Sequence, residues 1–184
     1  MSAAAFFARW RVRLSYPLAA VVLWFARPSP KSIVAGAVVG AIGLWIRARA
    51  AGHLHKQEVL TTAGPYAYTR NPLYLGSFIL AIGAAIAAHS WPSALILFCY
   101  FALFYSFVMR REEGELYQHH GDAFREYARA VPLFLPRVTP AKLSSTAAAS
   151  FSFAQYKKNS EYRAAIGFLL LLLVFVVIWR LRSL

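Results

Sequence analysis

The residues best suited to chemistry crowd into GPYAYTRNPLYLG, positions 64–76. Tyr66, Tyr68 and Tyr74 offer hydroxyls and aromatic faces, Arg70 a fixed cation, and Asn71 an amide that both donates and accepts. Gly64-Pro65 and Asn71-Pro72 are turn signals framing the tyrosine pair. Pro72 suits a first helical position, which makes Asn71 a candidate N-cap. An aromatic belt with a snorkelling arginine accounts for Tyr74 and Arg70, but not for two turns around a tyrosine pair. The chain has only seven acidic residues, and two of them, Glu112-Glu113, directly follow Arg110-Arg111. Such a cluster is either a self-neutralising helix end, which contributes little, or a carboxylate receptor for hydroxyls or an ammonium of a polar ligand.

The elements that must position these residues are membrane helices. The chain of 184 residues suits a single domain and is 59% hydrophobic, with a mean hydropathy of +0.49. A bilayer core of about 30 Å needs roughly 20 helical residues, with a lower limit near 17. Pro72–Ala88 and Trp91–Met109 meet this outright. Ala164–Trp179 meets it once Arg163 and Arg180 snorkel. Leu14–Ala26 and Ile33–Ile46 are shorter, are flanked by arginine, and read as a helical hairpin across RPSPK. The expected fold is therefore all-α, a polytopic bundle of about five transmembrane helices. Gly36-x-x-x-Gly40 sits on a membrane helix with no preceding strand, so it reads as close helix packing rather than a dinucleotide loop.

The net charge of +13 raises nucleic acid as a partner, but its distribution argues against one. With five spans and the N-terminus inside, 16 of the 20 Lys and Arg residues fall on cytosolic segments. Only Arg27, Lys31, Arg180 and Arg182 lie outside. A positive-inside bias explains the basicity and places a multi-pass protein, N-terminus and active site cytosolic, in a membrane such as the bacterial inner membrane. The N-terminus lacks a cleavage site, so the first apolar run stays as a helix. Cys99 reads as a small buried hydrophobe. His53-x-His55 and His119-His120 do not share a helix face and read as solvated or interfacial, so no metal site is expected. Ser144-Ser145 lack a partnered His and acid pattern.

Taken in order, these blocks resemble a known family. GPYAYTRNPLYLG, then Glu112-Glu113 one span later, then GDAFREY at 121–127 and VPLFLP at 131–136, look like the isoprenylcysteine carboxyl methyltransferase and phospholipid methyltransferase group. These are integral membrane enzymes that use S-adenosylmethionine. The resemblance runs from about Glu58 to Pro136. It implies cofactor contacts at Glu58, Val59, Leu60, Thr61, Tyr66, Asn71, Pro72, Tyr74 and Glu112. Asn71 stands where that family usually has histidine; it hydrogen-bonds but does not titrate. By count, Val108 stands where the prenylcysteine enzymes place an arginine, leaving Arg110 or Arg111 nearest.

Methyl transfer from a sulfonium is an in-line displacement that needs alignment and desolvation. The expected acceptor is lipophilic, a lipid or lipidated small molecule. A carboxylate acceptor of the prenylcysteine type wants a cationic clamp from Arg70, Arg110 or Arg111. A phospholipid amine must lose a proton, so it wants a carboxylate such as Glu113. These four form the candidate catalytic set. A sterol-type reductase using NADPH and a non-enzymatic membrane scaffold are the competing readings. The expected organisation is a methyltransferase domain over 1–140, a linker or interfacial segment over 141–162, and a C-terminal membrane helix over 163–184.

Overall fold

The computed structural model describes residues 14, 16–55, 59–142 and 150–184. They form an all-helical bundle. In order come α1 (Tyr16–Phe25), α2 (Pro30–His53), a short 3₁₀ turn (Gly64–Ala67), α3 (Pro72–Ala88), α4 (Trp91–Ala130), α5 (Phe153–Lys158) and α6 (Tyr162–Ser183). Each apolar run expected from sequence is helical. Three of them, α2, α4 and α6, are long and apolar enough to cross a membrane, while α1 and α3 are shorter apolar helices.

Two expected boundaries move. The second run extends from Ile33–Ile46 to Pro30–His53, 24 residues. Arg47 and Arg49 are good helix formers, so charge ends the apolar stretch without ending the helix. The fourth run does not stop at Met109. α4 continues through Arg110 and Glu113 to a break at Gly121, whose φ of 51° and ψ of −120° suit glycine alone. Residues 122–130 then fold back over the loop before α3.

Local signals set the helix starts. Ser29 and Ser32 form a reciprocal capping box at α2, with backbone-to-hydroxyl distances of 2.9 and 3.2 Å. The Ser32 hydroxyl also donates to the Ala87 carbonyl at 3.2 Å, pinning the start of α2 to the end of α3. Prolines occupy the first turn of α2, α3 and α4, where the missing N–H has no intrahelical partner to lose.

The antiparallel packing of α2 on α3 uses glycines at matched heights. A Cβ on Gly43 would lie 2.7 Å from the Gly76 carbonyl, and one on Gly83 would lie 2.7 Å from the Gly36 carbonyl. Gly40 instead leaves room for the Phe168 ring of α6. The close-packing reading of Gly36-x-x-x-Gly40 is thus what the helices show. α6 runs back along α2, burying Phe175 with Ala26, Ile33, Ala87 and Ala88. Near its end Arg182 donates to the carbonyls of Ala26 and Trp24. The bundle therefore has two ends. One gathers residues 47–54, 64–77, 105–113 and 161; the other gathers 26–31, 88–91 and 182.

Between α3 and α4 the walls part into a groove of about 940 Å³. Its lining includes Ser29, Lys31 and Trp91 as well as Phe78 and Phe101. Leu97 and Phe98 line it. Cys99 departs from its expected burial: it is exposed on the outer face of α4.

Candidate active site

The segment 64–71 is held by the chain that follows α4. Arg70 N–H donates to the Pro132 carbonyl at 3.0 Å, Arg137 N–H to Tyr68 at 2.9 Å, and Ala141 N–H to Ala67 at 2.9 Å. The buried Thr69 hydroxyl reaches the carbonyls of Leu133 and Phe134 at 3.3 and 2.9 Å. The Asn71 side chain donates to Leu133 at 3.0 Å. This corrects its expected role: Asn71 stands at the N-cap position of α3 but makes no side-chain cap bond. Its amide is drawn instead to the Leu133 carbonyl, in an irregular segment 62 residues further along the chain that local sequence does not reveal. VPLFLP thus works as a splint for the tyrosine turn.

The folded-back part of α4 seals the turn from the other side. Phe124, Tyr127 and Val131 form a buried cluster with Leu60 packed against it. The Tyr127 hydroxyl, on a side chain only 3% exposed, donates to the Tyr66 carbonyl at 2.8 Å. Burial pushes the Tyr127 phenol up, opposed by the nearby Arg70 cation. Tyr66 is itself buried. Its phenol is pushed well above the ordinary range, first by burial, then by the negative potential of Tyr127, Glu112, Glu161 and Tyr74. At neutral pH Tyr66 keeps its proton.

At the start of α3 the Tyr74 hydroxyl donates to Glu112 Oε1 at 2.5 Å. The Tyr74 ring meets Tyr105 edge-on at 5.3 Å, and Tyr105 stacks on Phe101 at 4.3 Å. Aromatic faces beside a carboxylate favour a cation. Beside them Arg70 Nη1 pairs with Glu113 Oε1 at 2.5 Å. Phe124 lies under the guanidinium at 6.0 Å, and Arg70 Nε is buried without a hydrogen-bond partner among the described residues.

The structure brings Tyr66, Tyr74 and Glu112 together, with Arg70 and Glu113 alongside. Pro72 is fully buried beneath them. Leu60 serves the core under the turn. Thr61 accepts from the His55 N–H at 3.4 Å, while Val59 is exposed. Glu58 lies outside the described residues. Arg110 and Arg111 are exposed, and Arg111 is engaged with Glu115 at 2.7 Å.

Sequence reasoning missed three contributors. Tyr127 sat in a quoted block without an assigned role. Arg47 and Glu161 form an ion pair at the same end of the bundle, joined across 114 residues of chain, and no spacing rule connects them. His53 also departs from expectation: it is buried. Its Nδ1–H donates to Arg49 at 2.7 Å and its ring faces Phe151. Among the described residues no group of three or more His, Cys, Asp and Glu converges.

A carboxylate held by a tyrosine hydroxyl and flanked by aromatic rings thus lies at one end of the helix bundle. The chain belongs to the phospholipid methyltransferase family, which it matches over residues 31–123. It is 32% identical over 146 residues to the nickel-cobalt-cadmium resistance protein NccN of Alcaligenes xylosoxydans xylosoxydans, covering 74% of this chain and 67% of that protein. The cobalt-zinc-cadmium resistance protein CzcN of Cupriavidus metallidurans is 31% identical over 146 residues, with 66% of its length covered. The protein-S-isoprenylcysteine O-methyltransferase of Schizosaccharomyces pombe is 33% identical over 84 residues, 46% of this chain and 36% of that enzyme. The chain thus spans about two thirds of the length of the two resistance proteins and about a third of the yeast enzyme. No solved structure matches it.

Proposed function

We propose that the protein transfers a methyl group from S-adenosylmethionine to a lipophilic acceptor in the membrane, at the cluster of Tyr66, Tyr74 and Glu112. The observation that carries this reading is the Tyr74–Glu112 hydrogen bond at 2.5 Å, set one helical turn from the aromatic end of the groove at Phe78 and Phe101. Family membership supports it.

The residues fit the cofactor's chemistry. Bound here, S-adenosylmethionine supplies an electrophilic methyl group on a cationic sulfur. Glu112, fixed by Tyr74, is placed to accept from an ammonium or from ribose hydroxyls. Tyr66 keeps its proton and offers a donor. The rings of Tyr74 and Tyr105 present faces to positive charge and, with Phe101, exclude water, which strengthens each electrostatic contact. Arg70 and Glu113 neutralise one another, so either becomes available to an acceptor only by exchanging its partner. A carboxylate acceptor takes Arg70 and an amine takes Glu113.

The basic residues of the described chain concentrate at the site end of the bundle, which we take to be cytosolic. Residues 1–140 then form the methyltransferase domain, 141–162 an interfacial segment and 163–184 the terminal helix. The metals in the names of the two resistance proteins are said of those proteins, and among the described residues no group of three or more His, Cys, Asp and Glu converges. The test is transfer of label from methyl-labelled S-adenosylmethionine in membranes holding wild type or Glu112→Gln. Base-labile label indicates an ester, and base-stable label in the phospholipid fraction indicates an amine. No transfer above the Glu112→Gln background to any lipid fraction contradicts the proposal.

A further inference from the structure

The Arg47–Glu161 pair plays no part in the chemistry proposed above, and Glu161 lies outside the segment matched to the family. Its surroundings are specific. Arg47 Nε donates to Glu161 Oε1, while Nη1 donates to the Leu73 carbonyl at 3.3 Å and to the Ser77 hydroxyl. Ser77 in turn donates to Leu73 at 2.9 Å. The Arg47 stem crosses Gly76, where a Cβ would lie 2.5 Å from its Cγ. One guanidinium therefore grips the first turn of α3 on the face beside Tyr74.

Glu161 is held firmly for its part. Its side chain is 9% exposed, and it heads α6 without making a side-chain cap bond there. Burying a carboxylate is costly unless it is paired, so α6 carries this charge for a partner on another helix. The chain before it is stitched to the last turn of α2. Ser152 N–H donates to Gly52 at 2.9 Å. Asn159 donates to Ala51 and Leu54 at 2.9 and 3.0 Å, and Gln155 also donates to Leu54. Carbonyls at and just past the end of α2 thus receive donors from the C-terminal segment.

We infer that Glu161 is a positioning residue: through Arg47 it holds the first turn of α3, and with it Tyr74, in the place that meets Glu112. The inference rests on the proposed function for its affinity readout, but its structural readout is independent of any ligand. The negative potential that Glu161 adds at Tyr66 is consistent with this proximity. α5 and the head of α6 thereby become part of the site's frame rather than an accessory anchor.

The test uses the full chain in detergent with Glu161→Gln, which preserves size and removes charge, in wild-type and Tyr74→Phe backgrounds. Arg47→Lys serves as a second variant that keeps the charge but loses the fork. Hydrogen exchange of amides 75–80 is expected to rise in Glu161→Gln and, less strongly, in Arg47→Lys. Affinity for S-adenosylhomocysteine is expected to fall about tenfold in wild type. It falls by less than about twofold where Tyr74→Phe has already removed the hydroxyl. Unchanged exchange in both variants overturns the inference whatever the affinity does. Equal affinity losses in both backgrounds also overturn it, since Glu161 then acts by another route. Raised exchange in a protein whose wild type binds no S-adenosylhomocysteine leaves the clamp standing and removes the methyltransferase reading.

Discussion

Adding one methyl group to either of two glycines should separate the packing of α2 on α3 from the workings of the site. In Gly43→Ala the new Cβ meets the Gly76 carbonyl at 2.7 Å and the Leu80 nitrogen at 2.8 Å. In Gly83→Ala it meets the Gly36 carbonyl at 2.7 Å and the Gly40 nitrogen at 2.8 Å. All four obstacles are backbone, so no side chain can swing aside. Reaching ordinary contact opens the interface by about 0.7 Å, enough to forfeit a quarter to a half of the dispersion energy there. Overpacking of this kind costs about 1–3 kcal/mol, against which alanine's better helix propensity returns up to about 1 kcal/mol. The net loss of about 1–2 kcal/mol lowers Tm by roughly 2–8 °C in a chain of this size. The two variants differ in position. Gly43 lies one turn from Arg47 and opposite Gly76, so its opening displaces the first turn of α3. Gly83 lies about 10 Å further along the helix. Thermal unfolding in detergent should show both losses, whereas titration with S-adenosylhomocysteine should show weakening, about tenfold, in Gly43→Ala alone. Unchanged Tm in both variants refutes the packing argument. Equal weakening in both refutes the link between α3's first turn and the site.

Gly121→Ala forces an L-residue into φ 51°, ψ −120°, at a cost on the order of 1–3 kcal/mol. Limited proteolysis should then cut residues 122–141 faster as Tyr127 loosens from Tyr66; unchanged cleavage contradicts the fold-back as the turn's seal. The raised phenols of Tyr66 and Tyr127 predict alkaline sensitivity. Unfolded tyrosine releases its proton near pH 10, whereas the folded protein keeps it. The unfolded state therefore binds fewer protons above that pH, and stability falls as pH rises past 10. Tm measured from pH 8 to 11 should drop beyond pH 10 and drop less in Tyr66→Phe; identical profiles count against the burial argument.

The helices were legible because their apolar runs are long and bounded by charge, and because Pro72 marks the start of α3 by local chemistry. The Gly36–Gly40 pairing was legible because small residues at helical spacing do little else on a membrane helix. Helix ends were less so: Arg47 and Arg110 look like termini in composition, yet arginine propagates a helix. The expected roles of Tyr66, Tyr74 and Glu112 came from the family resemblance carried by one dense motif and its downstream block. What stayed hidden depends on tertiary contact alone. Asn71 turns to Leu133, His53 is covered by Phe151, and Arg47 finds Glu161 from the far end of the chain. Cys99 was misjudged because a uniformly apolar helix gives no sign of which face meets its neighbours.

We propose that Glu112, held by Tyr74, receives the cofactor. Isothermal titration of the purified protein with S-adenosylhomocysteine, beside NADPH, tests it most directly. Wild type should bind S-adenosylhomocysteine and not NADPH, and Glu112→Gln should bind it roughly ten- to a hundredfold more weakly, the worth of one charge-assisted hydrogen bond, with Tm unchanged. Equal affinity in wild type and Glu112→Gln, or binding of NADPH in place of S-adenosylhomocysteine, would contradict it.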